Sequence, residues 1–472
     1  MKSMKLSSVA FAAMLVAVAC TPGAGTPTTG PTTGGGDPTG TAPSGSPDMS
    51  PDTAPSGSPD MSPDTAPSGS PDMSPDMSPD GPPSGEFGTV EVASGQPIKL
   101  GTALVITTAD ADLGTDSQYG AQVAAEIKGQ VLGHDIEFVF QDDQCSTEGG
   151  TTAAQALVSD PQIVAVIGTS CSSAGIPAAQ ITSDAGILMV SPSNTAPSLT
   201  APETHEEFYA RTAHNDTVQG AAMATYACEE LGAETAATVH DGSAYAEQLQ
   251  QVFADEFVAQ CDGRITRQEA VAPTDTDMRT VLTTIAADPP DLLYYPIFTA
   301  GGALMTQQAR QTSGLEDTDL AGADGMQSPT FLEAAGDAAL GIYASGPDLA
   351  FAGDFYSDEF LPAYEELSGS ASPLSSFHAH AFDAANMIFQ AIEDSATENA
   401  DGSLTIDRVA LRDAFFAIEG FEGITGNLSC NETGDCADPA ISVAVVAPVA
   451  DAGDDCGAST GEVCFQRIWP ED

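Results

Sequence analysis

Short apolar runs punctuate this chain at a spacing that sets its architecture. Residues 98–107 (IKLGTALVIT), 136–141 (IEFVFQ), 163–168 (IVAVIG) and 187–190 (ILMV) are rich in β-branched residues and read as buried strands. Between and after them a helical period recurs at 119–130, 151–159, 218–231, 246–260 and 302–311, with further strands at 236–240 and 291–296. Strands and helices alternating at this spacing predict an α/β fold of parallel sheets with helices on both faces. One sheet cannot hold them all. Two doubly wound, Rossmann-like lobes joined by a hinge are expected, with a ligand cleft between them. After residue 346 the texture changes to helices near 355–367, 377–394 and 406–417, then to hairpin-like strands with a closed turn at 430–436 and a strand at 441–446.

One stretch concentrates small polar residues within this pattern: 171–197, CSSAGIPAAQITSDAGILMVSPSNTAP. It reads as loop, short helix (176–183), strand and loop, following the strand 163–168. Loops at the carboxyl ends of parallel strands lie side by side, and a helix N-terminus there offers unpaired N–H groups and partial positive charge. Ser172, Ser193 and Thr195 would add hydroxyl donors, giving a carboxylate-sized site with no Lys or Arg in it. Ser and Thr in tight turns equally well satisfy local backbone groups, so the stretch alone accommodates both readings.

The N-terminal residues have a different texture. Lys2 and Lys5 precede an uncharged apolar run at 6–19 that ends in Ala17-Val18-Ala19-Cys20. This is a signal peptide, 1–19, followed by a cysteine that resembles the acylated residue of a bacterial lipobox. Residues 21–90 are rich in Pro, Ser, Gly, Thr and Asp, with TAPSGSPDMSPD repeated in tandem from Thr41 to Asp76. Such a unit has no apolar face to bury, so a disordered linker is expected, spanning on the order of 45 Å as a flexible coil. No later segment is apolar and long enough to cross a bilayer.

Charge narrows the partners. Against 68 Asp plus Glu stand 12 Lys plus Arg, a formal net charge of -56, which repels nucleic acid and anionic lipid headgroups. With Cys20 assigned to lipid, eight cysteines remain: Cys145, Cys171, Cys228, Cys261, Cys430, Cys436, Cys456 and Cys464. An even number in an exported chain without CxxC or a His-rich partner set favours disulfides over metal. Short local loops favour sequential pairing: 145 with 171, 228 with 261, 430 with 436, and 456 with 464.

The ordered set Gln118-Tyr119-Gly120, VLGHDIEFVFQDDQC (131–145), AVIGTSCSSAGIPAA, GILMVSPSNTAP, VHDGSAYAEQL (239–249) and FEGITGNLSCNETGD resembles the periplasmic branched-chain amino acid binding proteins of ABC transporters, over most of 97–445. The resemblance implies the type I periplasmic-binding fold, with one lobe from 97–215 and 347–424 and the other from 216–346 and 425–472. It implies that Ser172 and Thr195 hold the carboxylate of a free amino acid and that the Ser193 carbonyl accepts from its ammonium. Asp324 falls at the acidic partner of that ammonium, while Tyr119, Tyr245, Phe298 and Phe377 match the surrounding wall. Cys145 and Cys171 match a family disulfide. This sequence departs from the family pattern at Asp324 for Glu, Phe298 for Tyr and Ser193 for Ala.

The expected function is that of an exported, lipid-anchored and monomeric receptor at the cell envelope that hands its amino acid to an ABC permease and ATPase. The alternative is a ligand-sensing module for amino acids or amides acting on a signalling partner. No enzyme is expected, because a GxSxG elbow between a strand and a helix, a Walker loop and an HExxH motif are all missing. No cofactor or metal is expected either: His378-Ala-His380 sends its two rings to different faces of a helix.

Overall fold

A computed structural model describes residues 85–452 and 456–470. The expected signal peptide, Cys20 and all of the linker up to residue 84 lie outside the described residues. The fold begins earlier than the expected linker end at 90. Thr89–Val92 is a strand paired antiparallel with Leu404–Asp407, burying Val90 and Val92 against Ile406 and Leu404. Four residues alternating polar and apolar suffice for such an edge pairing, and beside a long polar linker that short alternation is easily overlooked.

The first lobe is built on a five-stranded, all-parallel sheet in the order Ile136–Asp142, Ile98–Leu104, Ile163–Gly168, Leu188–Ser191, Tyr209–Arg211. Ile163–Gly168 is buried at every position because it has a strand on either side and helices on both faces. The edge strand Ile136–Asp142 keeps more exposed residues. Helices Ala111–Lys128 and His378–Ser395 pack together on one face, so closely that a Cβ on Gly120 would sit 2.0 Å from the His378 carbonyl oxygen.

The second lobe holds an eight-stranded mixed sheet. Arg264–Ala270, Thr235–His240, Leu292–Tyr294, Asp319–Ala323 and Tyr343–Pro347 run parallel in that order. Ile441–Pro448, Val463–Trp469 and Cys456–Ser459 then extend it antiparallel. The chain passes between lobes after Arg211, after Pro347 and before Ile441. The last of these passages comes later than expected. Residues 425–436, assigned from sequence to the second lobe, stay with the first, where Leu428 and Cys436 are buried in its core.

All four sequential disulfides are present: Cys145–Cys171, Cys228–Cys261, Cys430–Cys436 and Cys456–Cys464. Cys145–Cys171 joins the loops after Ile136–Asp142 and Ile163–Gly168, the two strands that flank Ile98–Leu104, and Cys430–Cys436 closes a turn that leans on Tyr209–Arg211.

Candidate functional site

The helix that follows Ile163–Gly168 starts at Ser172 and runs to Asp184, several residues earlier than its apolar period indicates. Ser172 is therefore in the first turn, where backbone N–H groups lack helical partners. Its Oγ accepts from Ala196 N at 3.2 Å, which ties the helix start to the loop carrying Ser193, Asn194 and Thr195. That loop is held from below. Ser191 Oγ donates to the Thr169 carbonyl at 2.8 Å and accepts from Asn194 N at 2.9 Å, while Asn194 Nδ2 donates to the same carbonyl at 3.0 Å. Gly175 permits the approach, since a Cβ there would lie 2.3 Å from Asn194 Oδ1.

The hydroxyls divide into two groups. Ser193 Oγ donates to the Ser170 carbonyl at 3.0 Å and so serves the loop itself. Thr195 Oγ1 is buried and has no hydrogen-bond partner among the described residues. Beneath the loop Arg211, fully buried, donates to the carbonyls of Asn194 at 3.1 Å and Ala196 at 3.0 Å.

The opposing wall comes from the second lobe. Asp324, in a 3-10 turn after Asp319–Ala323, is buried. Its Oδ1 accepts from Gln219 Nε2 at 2.6 Å and from the Tyr245 hydroxyl at 3.0 Å, and its Oδ2 has no hydrogen bond among the described residues. Burial pushes its pKa up to about 6, with those two donors pulling the other way. Tyr245 packs on Phe298 with ring centroids 5.1 Å apart.

The two walls meet at the first passage between lobes. Asp216 opens the helix Asp216–Glu229, and its N–H donates to the Thr195 carbonyl at 3.0 Å. The Asp216 side chain is fully buried, and neither carboxylate oxygen has a hydrogen-bond partner among the described residues. Burial raises its pKa well above the ordinary carboxylate value, the negative charge of Asp324 adds to this, and the nearby Thr195 hydroxyl lowers it.

The structure thus brings together Ser172, Ser193 and Thr195 on one wall and Tyr245, Phe298 and Asp324 on the other. Phe298 and Phe377 join Val105, Leu113, Ala213 and the Cys145–Cys171 pair in one apolar cluster spanning both lobes. Phe377 is fixed by Asp116, whose Oδ2 accepts from Phe377 N at 3.1 Å and His378 N at 2.8 Å.

Tyr119 is not brought to this site. The helix expected from 119 begins at Ala111, which puts Tyr119 two turns inside it, edge-on to Tyr364 at 5.8 Å in the first lobe's core. Gly114 and Gly120 both lie inside this helix. Both are there for clearance, a Cβ on Gly114 meeting Val105 O at 2.0 Å and one on Gly120 meeting His378 O at the same distance. The sequence reading also missed Asp216 and Gln219. Behind the cap Asn215, an acidic first-turn residue reads as an ordinary helix start, and nothing local signals its burial.

The lobes are in contact across the cleft. Thr299 N donates to Asp110 Oδ1 at 3.1 Å, Thr330 N to Asp112 Oδ2 at 3.1 Å and Ala244 N to Ser173 Oγ at 2.9 Å. Outside these bonds a cavity of about 660 Å³ opens between the lobes, lined by Asp110, Ser146, Ser173, Asp241 and Phe298 among others.

A family model described as periplasmic binding protein matches residues 97–449. Among curated proteins the chain is similar to Leu/Ile/Val-binding protein homolog 3 of Brucella melitensis, 27% identical over 352 residues that cover 73% of this chain and 90% of that protein. Among solved structures it is similar to a leucine binding protein from Thermotoga maritima, with TM-score 0.66 and 25% identity, covering 78% of this chain and 97% of that one. A solute binding protein from R. palustris in complex with benzoate shares the fold at TM-score 0.63 and 20% identity, covering 79% of this chain and 98% of that one.

Proposed function

The chain belongs to the periplasmic binding protein family, and from that premise we propose that it captures a free amino acid, branched-chain or small aliphatic, and delivers it to an ABC importer. The observation that carries this reading is the opposite polarity of the two walls. On one side stand hydroxyls and a helix start. On the other stand the buried carboxylates of Asp324 and Asp216, neither bonded to a Lys or Arg among the described residues.

A buried carboxylate either takes up a proton or pairs with a cation, and on capture the ligand supplies that cation. An amino acid supplies both halves. Its carboxylate fits Ser172, Thr195 and the N–H groups of the helix start, and its ammonium fits Asp324 and Asp216. Tyr245, Phe298 and Phe377 then wall an apolar side chain. A benzoate, the ligand of the R. palustris structure, satisfies the hydroxyl wall only and leaves two buried acids without a cation. The ligand is bound and released, with no chemistry done on it. Each lobe contributes half of the polar partners, so binding favours the closed state. Acylation at Cys20 would hold the protein at the envelope, with the linker as its tether.

Calorimetry with a panel of free amino acids, their des-amino acids and benzoate tests the reading. Leucine, isoleucine or valine should bind at least about 100-fold more tightly than the des-amino counterpart, as expected for a charge-assisted hydrogen bond on each side of a buried ammonium. Equal affinity for benzoate and leucine would sink it. Mass spectrometry of the mature chain tests the anchor, an unmodified Cys20 thiol counting against it.

A further inference from the structure

Behind Asp324 lies a hydrogen-bonded chain that the amino-acid reading does not use. Gln219 Nε2 lies 2.6 Å from Asp324 Oδ1 and 3.2 Å from the Ser345 carbonyl oxygen. Both are acceptors, so this end of the Gln219 side chain is the NH2 group, and Oε1 is the other end. His214 Nε2 lies 2.5 Å from that Oε1. A carbonyl oxygen only accepts, which puts the imidazole proton on Nε2. Nδ1 is then a bare acceptor, and it is buried without a partner among the described residues. An unpaired acceptor is the more tolerable of the two arrangements, since orphaned buried N–H groups are the rarer kind.

We propose that His214 is a positioning residue for ligand capture: its Nε2–H fixes the Gln219 amide so that the NH2 end faces Asp324 and keeps Oδ2 of that acid turned to the ligand. The inference rests on the reading that Asp324 receives the ligand's ammonium. Without the imidazole donor the amide can turn over. Its oxygen would then face the carboxylate, a repulsive contact in a buried site.

His214 is held where this arrangement stays intact. It sits on the first passage between lobes, stacked on Phe377 with ring centroids 6.1 Å apart and planes 19° apart. Its other neighbours come from the remaining passages and the adjoining elements: Asp348, Asp438 and His380 line a narrow cavity with it, and Arg211 with Asp435 lies close by. Burial pushes the imidazole down to about 4, so at neutral pH it stays uncharged and keeps the single proton the chain requires.

The test uses the full chain with 15N-labelled histidine. The His214 signal should be that of the Nε2–H tautomer, and the Nδ1–H tautomer would overturn the proposal. His214→Gln, which can still donate to the amide oxygen, should bind leucine within about threefold of the unchanged protein, whereas His214→Met should weaken binding about tenfold, the equivalent of one lost neutral hydrogen bond. The Gln219 side-chain amide resonances should move in the Met variant only. Equal affinities for all three proteins, or equal losses in both variants, would show that the donor has no role. If the variants fail to fold, the tautomer in the unchanged protein decides. If no amino acid binds the unchanged protein, the proposed ligand class fails, while the tautomer and the Gln219 resonances still report whether His214 sets the amide.

Discussion

The guanidinium of Arg211, fully buried, is ion-paired at 2.5 Å with Asp435, which lies 224 residues further along the chain. The same guanidinium holds the carbonyls of Asn194 and Ala196 and the hydroxyl of Thr200. Asp435 in turn belongs to the loop closed by Cys430–Cys436. A distant disulfide loop therefore braces the backbone that presents Thr195. In an acidic chain with few cations, one of them is placed beneath the hydroxyl wall, facing carbonyls and away from the ligand side.

Asp435→Asn leaves the Arg211 charge buried with only neutral acceptors. Removing one partner of a buried ion pair costs about 3–5 kcal/mol, and because Asp435 is 27% exposed the loss should fall at or below the low end of that range. Urea unfolding of the variant should show a lower midpoint at an unchanged m-value. An unaltered midpoint would mean that the pair does not brace the loop.

Thr195→Val removes a buried hydroxyl with no hydrogen-bond partner among the described residues, so the two readings of that residue part clearly. If Thr195 waits for the ligand, stability of the free protein should be unchanged or slightly raised, while leucine affinity falls about 10- to 100-fold for the loss of a bond to a charged group. Ser172→Ala should lose affinity similarly but also destabilise the free protein by about 1 kcal/mol, because its Oγ already accepts from Ala196 N. Calorimetry and thermal unfolding on both variants separate these effects.

Gly175→Ala tests how closely the two loops must approach. Its Cβ would meet Asn194 Oδ1 at 2.3 Å and Thr169 Oγ1 at 3.1 Å, both buried and hydrogen-bonded to each other. Overpacking of this kind costs about 1–3 kcal/mol. Leucine affinity should fall with stability, since the Asn194 loop carries Thr195. A variant that loses stability and keeps its affinity would show that the loop spacing is not tuned to the ligand.

Much of this site is written locally in the sequence. The hydroxyl wall lies within one strand–loop–helix–strand–loop unit, so Ser172, Ser193 and Thr195 could be found from turn chemistry and the order of apolar runs. The lobe architecture follows likewise from the spacing of strands such as IVAVIG. Asp324 became visible only through family resemblance, because a single Asp before a Gly is an ordinary turn. Asp216, Gln219 and His214 were illegible for a physical reason: their roles depend on burial at a passage between lobes, and burial there is set by long-range packing. Tyr119 was misplaced because only the family resemblance put it on the ligand wall, from a helix start read eight residues late, whereas the chain packs it inside Ala111–Lys128 against Tyr364.

The buried acids fix a pH signature with two opposing parts. Burial pushes Asp143 up to about 7 and Asp324 and Asp383 up to about 6, all above the ordinary value of 3.8. Between about pH 4 and 7 these acids hold more protons in the folded chain than in the unfolded one and lower stability as pH rises. His214 and His380, pushed down to about 4 and about 3 by burial, act in the opposite sense below about pH 6.5; with Asp216 also raised, the acids outnumber the histidines. The free protein should melt at a higher temperature at pH 5 than at pH 7. Ligand binding runs the other way, because an ammonium needs the ionised form of Asp324. Below pH 6 each unit should weaken leucine binding about tenfold, so the melting shift caused by leucine should shrink as the free protein becomes more stable. In Asp324→Asn the binding should be weak at every pH, and its decline between pH 6 and 5 should vanish. Melting curves with and without leucine at pH 5, 6 and 7 check both parts, and a leucine-induced shift that grows toward pH 5 would exclude an ionised Asp324 from ligand capture.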